Sequence, residues 1–194
     1  GVPLQDASAV GTVESLAHIQ TDQIDHIEIV RGNVSAIYGS GAMGGVIQIF
    51  TKQGTGKPTA NVFAEYGSHN TSKIGVGTSG KTEGGTSFAF SATRFKTNGF
   101  SSINPAKDPM ANPDDDHDKN VSFNAAVSQK LNADHELGIR LNMTDAKFEY
   151  DTSWQGPEEV SKGKSKQWVG AIYSKNRFTK DWISTLTASR NELK

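Results

Sequence analysis

The sequence predicts an all-β protein in which a short first domain precedes about seven antiparallel strands. From residue 59 onward apolar and polar residues alternate with a period of two, which is typical of strands with one apolar face. The connections between these strands are either short or long and polar. Alternation alone is equally compatible with a soluble antiparallel sandwich and with the wall of a transmembrane barrel.

Composition narrows the class of protein. The chain has 194 residues, a net charge of −1 and no cysteine, so it has neither disulfides nor thiolate metal ligands. The balanced charge gives no indication of a nucleic-acid partner. Hydrophobic residues make up 35% of the chain, and no apolar run reaches the roughly 18 residues of a transmembrane helix. This criterion does not detect the strands of a transmembrane barrel, because their alternating apolar and polar residues give a polar mean hydropathy.

The stretch 24–52 predicts a strand, one helical turn, a glycine loop and a second strand. The first strand is rich in β-branched residues and ends at residues 31–32. Residues 34–38 can form one helical turn, with Asn33 available as its cap. Residues 46–50 form a β-branched run that is too short for a helix, so we expect a returning strand.

The glycine loop contains Gly39, Gly41, Gly44 and Gly45. We expect Gly44 or Gly45 to have a positive φ, or to lie too close to backbone for a Cβ. The segment satisfies the G-x-G-x-x-G pattern, but a dinucleotide site requires that pattern to follow a strand and open a helix. Here it opens a strand, which argues against a nucleotide site. A P-loop is excluded because no Gly-Lys-Ser/Thr follows.

This stretch resembles the end of the plug domain of TonB-dependent outer-membrane receptors. In that family a strand ending in V-R-G is followed by S-x-x-Y-G-S-x-A-x-G-G-V-I-x-I. The matching residues are Val30, Arg31, Gly32, Ser35, Tyr38, Gly39, Ser40, Ala42, Gly44, Gly45, Val46, Ile47 and Ile49, with Gly41 inside the loop. The resemblance implies that residues 1–53 are the C-terminal part of a plug. Residues 54–58, rich in glycine and proline, are then a linker, and residues 59–194 the N-terminal part of the barrel wall.

Seven alternating segments are predicted in the second domain: 61–66, 73–77, 87–93, 121–128, 137–144, 168–177 and 182–188. The clearest two should turn their apolar residues to one common face, because a slip of one residue reverses every side chain. These apolar residues are Val121, Phe123, Ala125 and Val127 in one strand and Leu137, Ile139, Leu141 and Met143 in the next.

The connections favour a barrel over a sandwich. The predicted short ones are 68–70, 80–85, 132–135 and 179–180, and the long polar ones are 96–119 and 152–165. Outer-membrane barrels place short turns in the periplasm and long loops outside. The short connection 68–70 falls on the outer side with the long ones, which is permitted. With the resemblance, this predicts a fragment of a plugged transmembrane antiparallel β-barrel. Open strand edges are not tolerated in lipid and the family's barrel has about 22 strands. We therefore expect a chain truncated at both ends, with the remainder of the barrel outside it.

The resemblance also implies a function. The expected protein is a receptor of the Gram-negative outer membrane that imports a scarce nutrient, cobalamin or a ferric siderophore, into the periplasm. Its implied partners are that ligand, outer-membrane lipid and the TonB protein, which binds a segment not in this chain. Residues 97–100 and 148–151 are similar to the cobalamin receptor branch. The alternatives are a non-transporting outer-membrane adhesin and a soluble β-sandwich binding module.

No set of catalytic residues can be assembled from the sequence. The five histidines are scattered and lack metal-ligand spacing, so we expect neither an enzyme nor a redox or organic cofactor. Arg31 is the plug charge of interest. The resemblance implies that it faces the lumen and pairs with a barrel carboxylate, because an unpaired charge there is costly. The alternative is an exposed arginine at the end of a strand.

The long connection 96–119 is strongly acidic near its end. Asp114, Asp116 and Asp118 have the alternate spacing of the first three ligands of a calcium loop. Lys119 and Ala125 occupy the positions where an EF-hand has glycine and glutamate, which excludes that motif. Spacing alone leaves both a solvated acidic loop and a calcium site open.

The resemblance favours calcium for this acidic segment. In the cobalamin receptors of the family, aspartates of the corresponding outer hairpin bind calcium and order the substrate loops. Asp145 and Asp151, near the outer end of the following strand, are the residues that could complete such a set.

Overall fold

The computed structural model describes residues 2, 4, 16–101, 103–104, 106–110, 112–152, 156 and 158–194. Within them the chain forms two antiparallel sheets. The first pairs β1 (Ile24–Arg31) with β2 (Gly45–Thr51). The second has seven strands in sequence order: β3 (Thr59–Gly67), β4 (Thr71–Lys81), β5 (Thr86–Thr97), β6 (Asp118–Lys130), β7 (His135–Tyr150), β8 (Ser161–Arg177) and β9 (Ile183–Leu193).

The first sheet carries two short helical segments. A 3₁₀ turn, Thr21–Gln23, leads into β1, and the helix α1, Ser35–Tyr38, lies between β1 and β2. Asn33 Oδ1 accepts a hydrogen bond from the Ser35 amide at 3.1 Å, as an Asx turn does. The predicted order of strand, turn, glycine loop and strand is therefore confirmed.

Among the helices of the described ranges, none is both long and apolar enough to cross a membrane.

Several wall strands are longer than the sequence predicts. β8 begins at Ser161, although residues 161–165 were expected to belong to a connection. Similarly β5 reaches Thr97 and β6 begins at Asp118. The reason is that these strand ends alternate lysine with small or polar residues, so hydrophobic periodicity does not reveal them.

The second sheet has its apolar face exposed and its polar face buried. The Cα partners on the apolar face are Phe123 with Met143, Ala125 with Leu141, and Val127 with Ile139. Directly opposed residues share a face, so the predicted common face is confirmed. Ile139 is 57% exposed there, whereas Asn120 on the opposite face is 2% exposed. This pattern is the reverse of a soluble sandwich and is that of a barrel wall with lipid outside.

Glycines on the buried face make room for aromatic rings across the strand. Three directly opposed pairs show this arrangement: Phe63 with Gly75, Phe148 with Gly163, and Tyr173 with Gly138. A Cβ on any of the three glycines would collide with the ring of its partner. The rings therefore fill the space that the missing glycine side chains leave on the inner face.

The segment between the two sheets is packed against the wall near the short connection between β4 and β5. Within the first domain, the Lys52 amide donates to Gln23 O at 3.0 Å. From the wall, the Lys81 amide of β4 donates to Gly56 O of the connecting segment at 2.8 Å. Gly54 is buried, and a Cβ there would collide with the backbone of Phe88. These contacts fix where the first sheet meets the wall.

Candidate functional site

The glycine loop closes onto the end of β1 through backbone hydrogen bonds. The Gly32 amide donates to Gly44 O at 3.2 Å, and the Val34 amide donates to Ala42 O at 3.1 Å. Ala42 is buried, whereas Gly41 lies in an exposed turn. The loop therefore opens β2 and no helix follows it, which is incompatible with a dinucleotide fingerprint.

Gly45 is the most constrained glycine of the loop. Its φ is +145°, and a Cβ there would lie 2.5 Å from Val30 O. The prediction made for Gly44 and Gly45 is thus confirmed at Gly45, while the position of a Cβ on Gly44 is open space. Gly32 and Gly39 have φ values of 101° and 93°, in the region that favours glycine.

The two large polar side chains of the motif lie on the surface of the first domain. Tyr38 Oη accepts a hydrogen bond from Gln48 Nε2 at 3.3 Å. Arg31 is exposed at the end of β1. Among the described residues, the ion pair between the first domain and the wall is formed by Asp22 and Lys73 instead.

Asp22 attaches the 3₁₀ turn to two neighbouring wall strands. Its Oδ1 lies 2.7 Å from Lys73 Nζ, and the two side chains are 17% and 14% exposed. Its Oδ2 accepts a hydrogen bond from Thr93 Oγ1 at 2.5 Å. Burial by itself would raise the pKa of Asp22, but the hydrogen bonds from Lys73 and Thr93 hold it below its ordinary value.

Amide side chains extend this contact across the wall. Asn142 Nδ2 donates to Oε1 of Gln23, which is 1% exposed, at 3.1 Å. Asn120 Nδ2 donates to His18 O at 2.9 Å. Together with Asp22, the segment before β1 is therefore bound to the inner face of β4, β5, β6 and β7.

Sequence reasoning missed this contact, because the residues before β1 are polar and were assigned to a loop. A signal was nevertheless present. Thr93, Asn120 and Asn142 all occupy the polar phase of alternating strands, and polar side chains that are buried need partners.

A second cluster lies at the long-connection end of the wall. Asp114 and Asp116 of the connection and Asp151 after β7 each offer a carboxylate oxygen, and these atoms lie within 4.8 Å of one another. Asp151 Oδ2 also accepts hydrogen bonds from Ser101 Oγ at 2.8 Å and from the Ile103 amide at 3.1 Å. The arrangement brings hard oxygen ligands together. It also places Asp151, which follows β7, against both the early and the late part of the long connection.

Among the described residues, the structure does not bring Asp118 or Asp145 into this cluster. Asp118 begins β6 and lies on the inner face, two positions before Asn120. Asp145 lies on the outer face of β7, where its Oδ2 is 3.0 Å from Lys166 Nζ. The reason is the strand period of two, which assigns each position to one side of the wall.

Comparison with known proteins identifies the first segment. Residues 1–46 match the sequence model of the TonB-dependent Receptor Plug Domain family. Over 171 residues, the chain is 29% identical to the vitamin B12 transporter BtuB of Photobacterium profundum, covering 87% of this chain and 27% of that relative. Over 53 residues it is 40% identical to the ferric enterobactin receptor of Pseudomonas aeruginosa, covering 26% of this chain and 7% of that relative. The chain thus spans about a quarter of the length of the B12 transporter it matches.

Solved structures share the fold. A variant of the ferric enterobactin receptor of Pseudomonas aeruginosa superposes with a TM-score of 0.71 at 17% identity, covering 91% of this chain and 28% of that one. The siderophore receptor PirA of Acinetobacter baumannii superposes with a TM-score of 0.65 at 20% identity, covering 91% and 27%. The plug motif, the exposed apolar face of the wall and these similarities agree: residues 1–46 match the plug family, and the chain resembles TonB-dependent receptors in having a plug segment followed by a stretch of barrel wall.

Proposed function

We propose that this chain is part of a gated importer in the Gram-negative outer membrane that carries cobalamin or a ferric siderophore into the periplasm. The observation that carries the proposal is the wall itself, apolar outside and polar inside, with the plug residue Asp22 bound to the polar face. The names of the relatives, a vitamin B12 transporter and ferric enterobactin receptors, support uptake of such a nutrient.

The contact between plug and wall suits a gate that opens under force. Its described bonds are polar: one ion pair, the hydrogen bond from Thr93 and the two asparagine amides. The neutral amide bonds contribute about 0.5–1.5 kcal/mol each and the bonds to the Asp22 carboxylate about 1.5–3 kcal/mol, because water can replace either partner. A pull on the plug by the TonB protein can then exchange these bonds for water. No covalent step is required.

Binding by the full-length receptor tests the proposed cargo. Purified receptor is titrated with cobalamin and with several ferric siderophores in competition, and uptake is measured in cells with and without TonB. We expect one of these ligands to bind and its uptake to require TonB. A receptor that binds none of them, or uptake that is equal without TonB, would leave the adhesin alternative.

Cobalamin is the cargo that the similarity favours, because the match to the B12 transporter covers 87% of this chain. The ferric siderophore is the second candidate, and the 40% identity to the enterobactin receptor over a short stretch supports it. Competition between the two ligand classes separates these candidates directly.

We also propose that Asp114, Asp116 and Asp151 hold a calcium ion in the intact receptor. Calcium prefers carboxylate and other oxygen ligands, and the three carboxylate oxygens lie close enough to share one ion. The carboxylates repel one another, so a cation would favour the gathered arrangement. The ion would supply positive charge only. Ser101 and the Ile103 amide orient Asp151, which joins the acidic segment to β7.

Calcium titration of the full-length receptor tests this site. We expect calcium, at up to millimolar concentration, to protect residues 98–117 from protease and to raise the affinity for the cargo. Asp116→Asn and Asp151→Asn should abolish both effects. The matched control is Asp145→Asn, which makes the same change outside the cluster. Protection that is independent of calcium, or equal in all variants, would leave only a solvated acidic loop.

A further inference from the structure

A row of lysines crosses four neighbouring strands on the outer face of the wall. Lys96 of β5 is the Cα partner of Lys119 of β6, which is also the partner of Lys147 of β7; Lys147 is in turn the partner of Lys164 of β8. Directly opposed residues project to the same face. We call these four residues the lysine row.

The two carboxylates that lie two positions before and after Lys147 in β7 are paired with other residues. Asp145 pairs with Lys166 at 3.0 Å, and Glu149 pairs with Lys162 at 3.3 Å. In the part of the chain that the structure describes, no member of the lysine row forms an ion pair. Like charges directly opposite each other destabilise a strand pair, so the row is unfavourable unless an anion bridges it.

The lysine row lies at one edge of the exposed apolar band. At about 3.3 Å per residue, Lys119 and Val127 are about 26 Å apart along β6. That distance corresponds to about 20 Å along a barrel axis if the strands tilt by about 40°, close to the height of a lipid-facing band. Tyr66 of β3 is the Cα partner of Ser72, which is in turn the partner of Lys96, so Tyr66 lies level with the lysine row. This tyrosine is 80% exposed. Tyrosines are enriched at membrane–water interfaces, at the depth of the lipid headgroups.

We propose that the lysine row binds the phosphate groups of an anionic lipid in the leaflet next to the long connections. The inference rests on the proposed placement of the wall in the outer membrane. Ammonium groups on flexible stems suit phosphate, and their stems can lie along apolar surface while the charges reach the headgroups. The apolar side chains below the row, including Phe123 and Met143, would contact the acyl chains of the same lipid. This continuity favours a lipid over a soluble anion.

Lipid titration of the full-length receptor in neutral detergent tests the inference. Phosphorylated lipid A is added, and the bound lipid is counted by native mass spectrometry. Each lysine near a charged membrane surface contributes about fivefold in affinity, so the double variant Lys119→Gln/Lys147→Gln should bind about 25-fold more weakly. Lys119→Arg/Lys147→Arg should retain binding, which separates loss of charge from loss of folding. The control Lys81→Gln/Lys130→Gln removes the same charge near the short connections.

Three results would overturn the proposal: equal affinity of the double glutamine variant, equal binding of dephosphorylated lipid A, or displacement of the lipid by inorganic phosphate at the same concentration. Cobalamin and siderophore binding are measured on the same preparations. Failure of nutrient binding while lipid binding depends on the lysine row would reject the proposed cargo and leave this inference intact. Intact nutrient binding, together with lipid binding that does not depend on the lysine row, would reject this inference and leave the proposed cargo intact.

Discussion

Asp22 of the plug and Lys73 of the wall form an ion pair with 2.7 Å between Oδ1 and Nζ. Thr93 donates to the other oxygen of the same carboxylate. One aspartate of a 3₁₀ turn thus links the plug to both β4 and β5. Because Lys73 is 14% exposed, it would have a largely desolvated charge without this partner.

Replacing Asp22 should loosen the plug. Asp22→Asn removes the charge that Lys73 pairs with, and we expect it to lower the free energy of plug release by about 1.5–3 kcal/mol, the contribution of a hydrogen bond to a charged group. Denaturant titration of the full-length receptor with a fluorophore on the plug measures this. The control is Asp25→Asn, an exposed aspartate of β1, for which about 0.5 kcal/mol or less is expected. Equal losses in both variants would contradict the role of Asp22.

The same contact predicts a pH dependence. Burial would raise the pKa of Asp22, but Lys73 and Thr93 hold it below its ordinary value. A lowered pKa in the folded state means that the contact stabilises fully above the unfolded pKa of about 3.9. The stabilisation is lost as the pH falls through the lower folded value. Plug release measured between neutral pH and pH 2 should show this acid loss in the wild type and not in Asp22→Asn.

Gly45 should not tolerate a side chain. Gly45→Ala forces a φ near +145° on alanine and places its Cβ 2.5 Å from Val30 O, which should destabilise the plug by about 1–3 kcal/mol. Gly44→Ala is the matched control, since nothing lies within 4 Å of a Cβ at that position. The measurement is the same plug titration, and similar effects at both positions would argue against strain at Gly45.

The ring of Tyr173 should prevent Gly138 from being replaced by a larger residue. Gly138→Ala places a methyl group against that ring, and overpacking of this kind costs about 1–3 kcal/mol. We expect Tyr173→Leu to relieve part of the effect in a double-mutant cycle measured by refolding into lipid vesicles. Gly84→Ala, where the nearest atom to the Cβ is 3.9 Å away, serves as control. A double mutant whose effects simply add would contradict this steric explanation.

A charged side chain on the exposed apolar face should destabilise the wall. Leu141→Arg, near the middle of the band, should destabilise the wall in a lipid bilayer by about 2–4 kcal/mol. Ala133→Arg in the short connection between β6 and β7 should have little effect, since Ala133 is exposed at the edge of the wall. Refolding of the full-length receptor into vesicles measures both. A small effect at Leu141 would mean that this face does not contact lipid.

The features predicted from sequence are those that neighbouring residues encode. The period of two placed Phe123 and Met143 on one face, and the glycine-rich turn indicated the constraint found at Gly45. The lysine-rich start of β8 at Ser161 was missed because hydrophobic periodicity ends at the edge of the apolar band.

The sequence by itself determined the strands, their order and the resemblance of the plug, because these depend on local patterns. The alternation by itself left open which face is buried, since an alternating strand is symmetric between inside and outside, and the tertiary structure decided it. It also decided that Asp22 meets Lys73 and that Asp151, with neither Asp118 nor Asp145, joins Asp114 and Asp116. Contacts between residues distant in sequence depend on strand register and on how the chain returns across the wall, and neither is written in the spacing of the residues concerned.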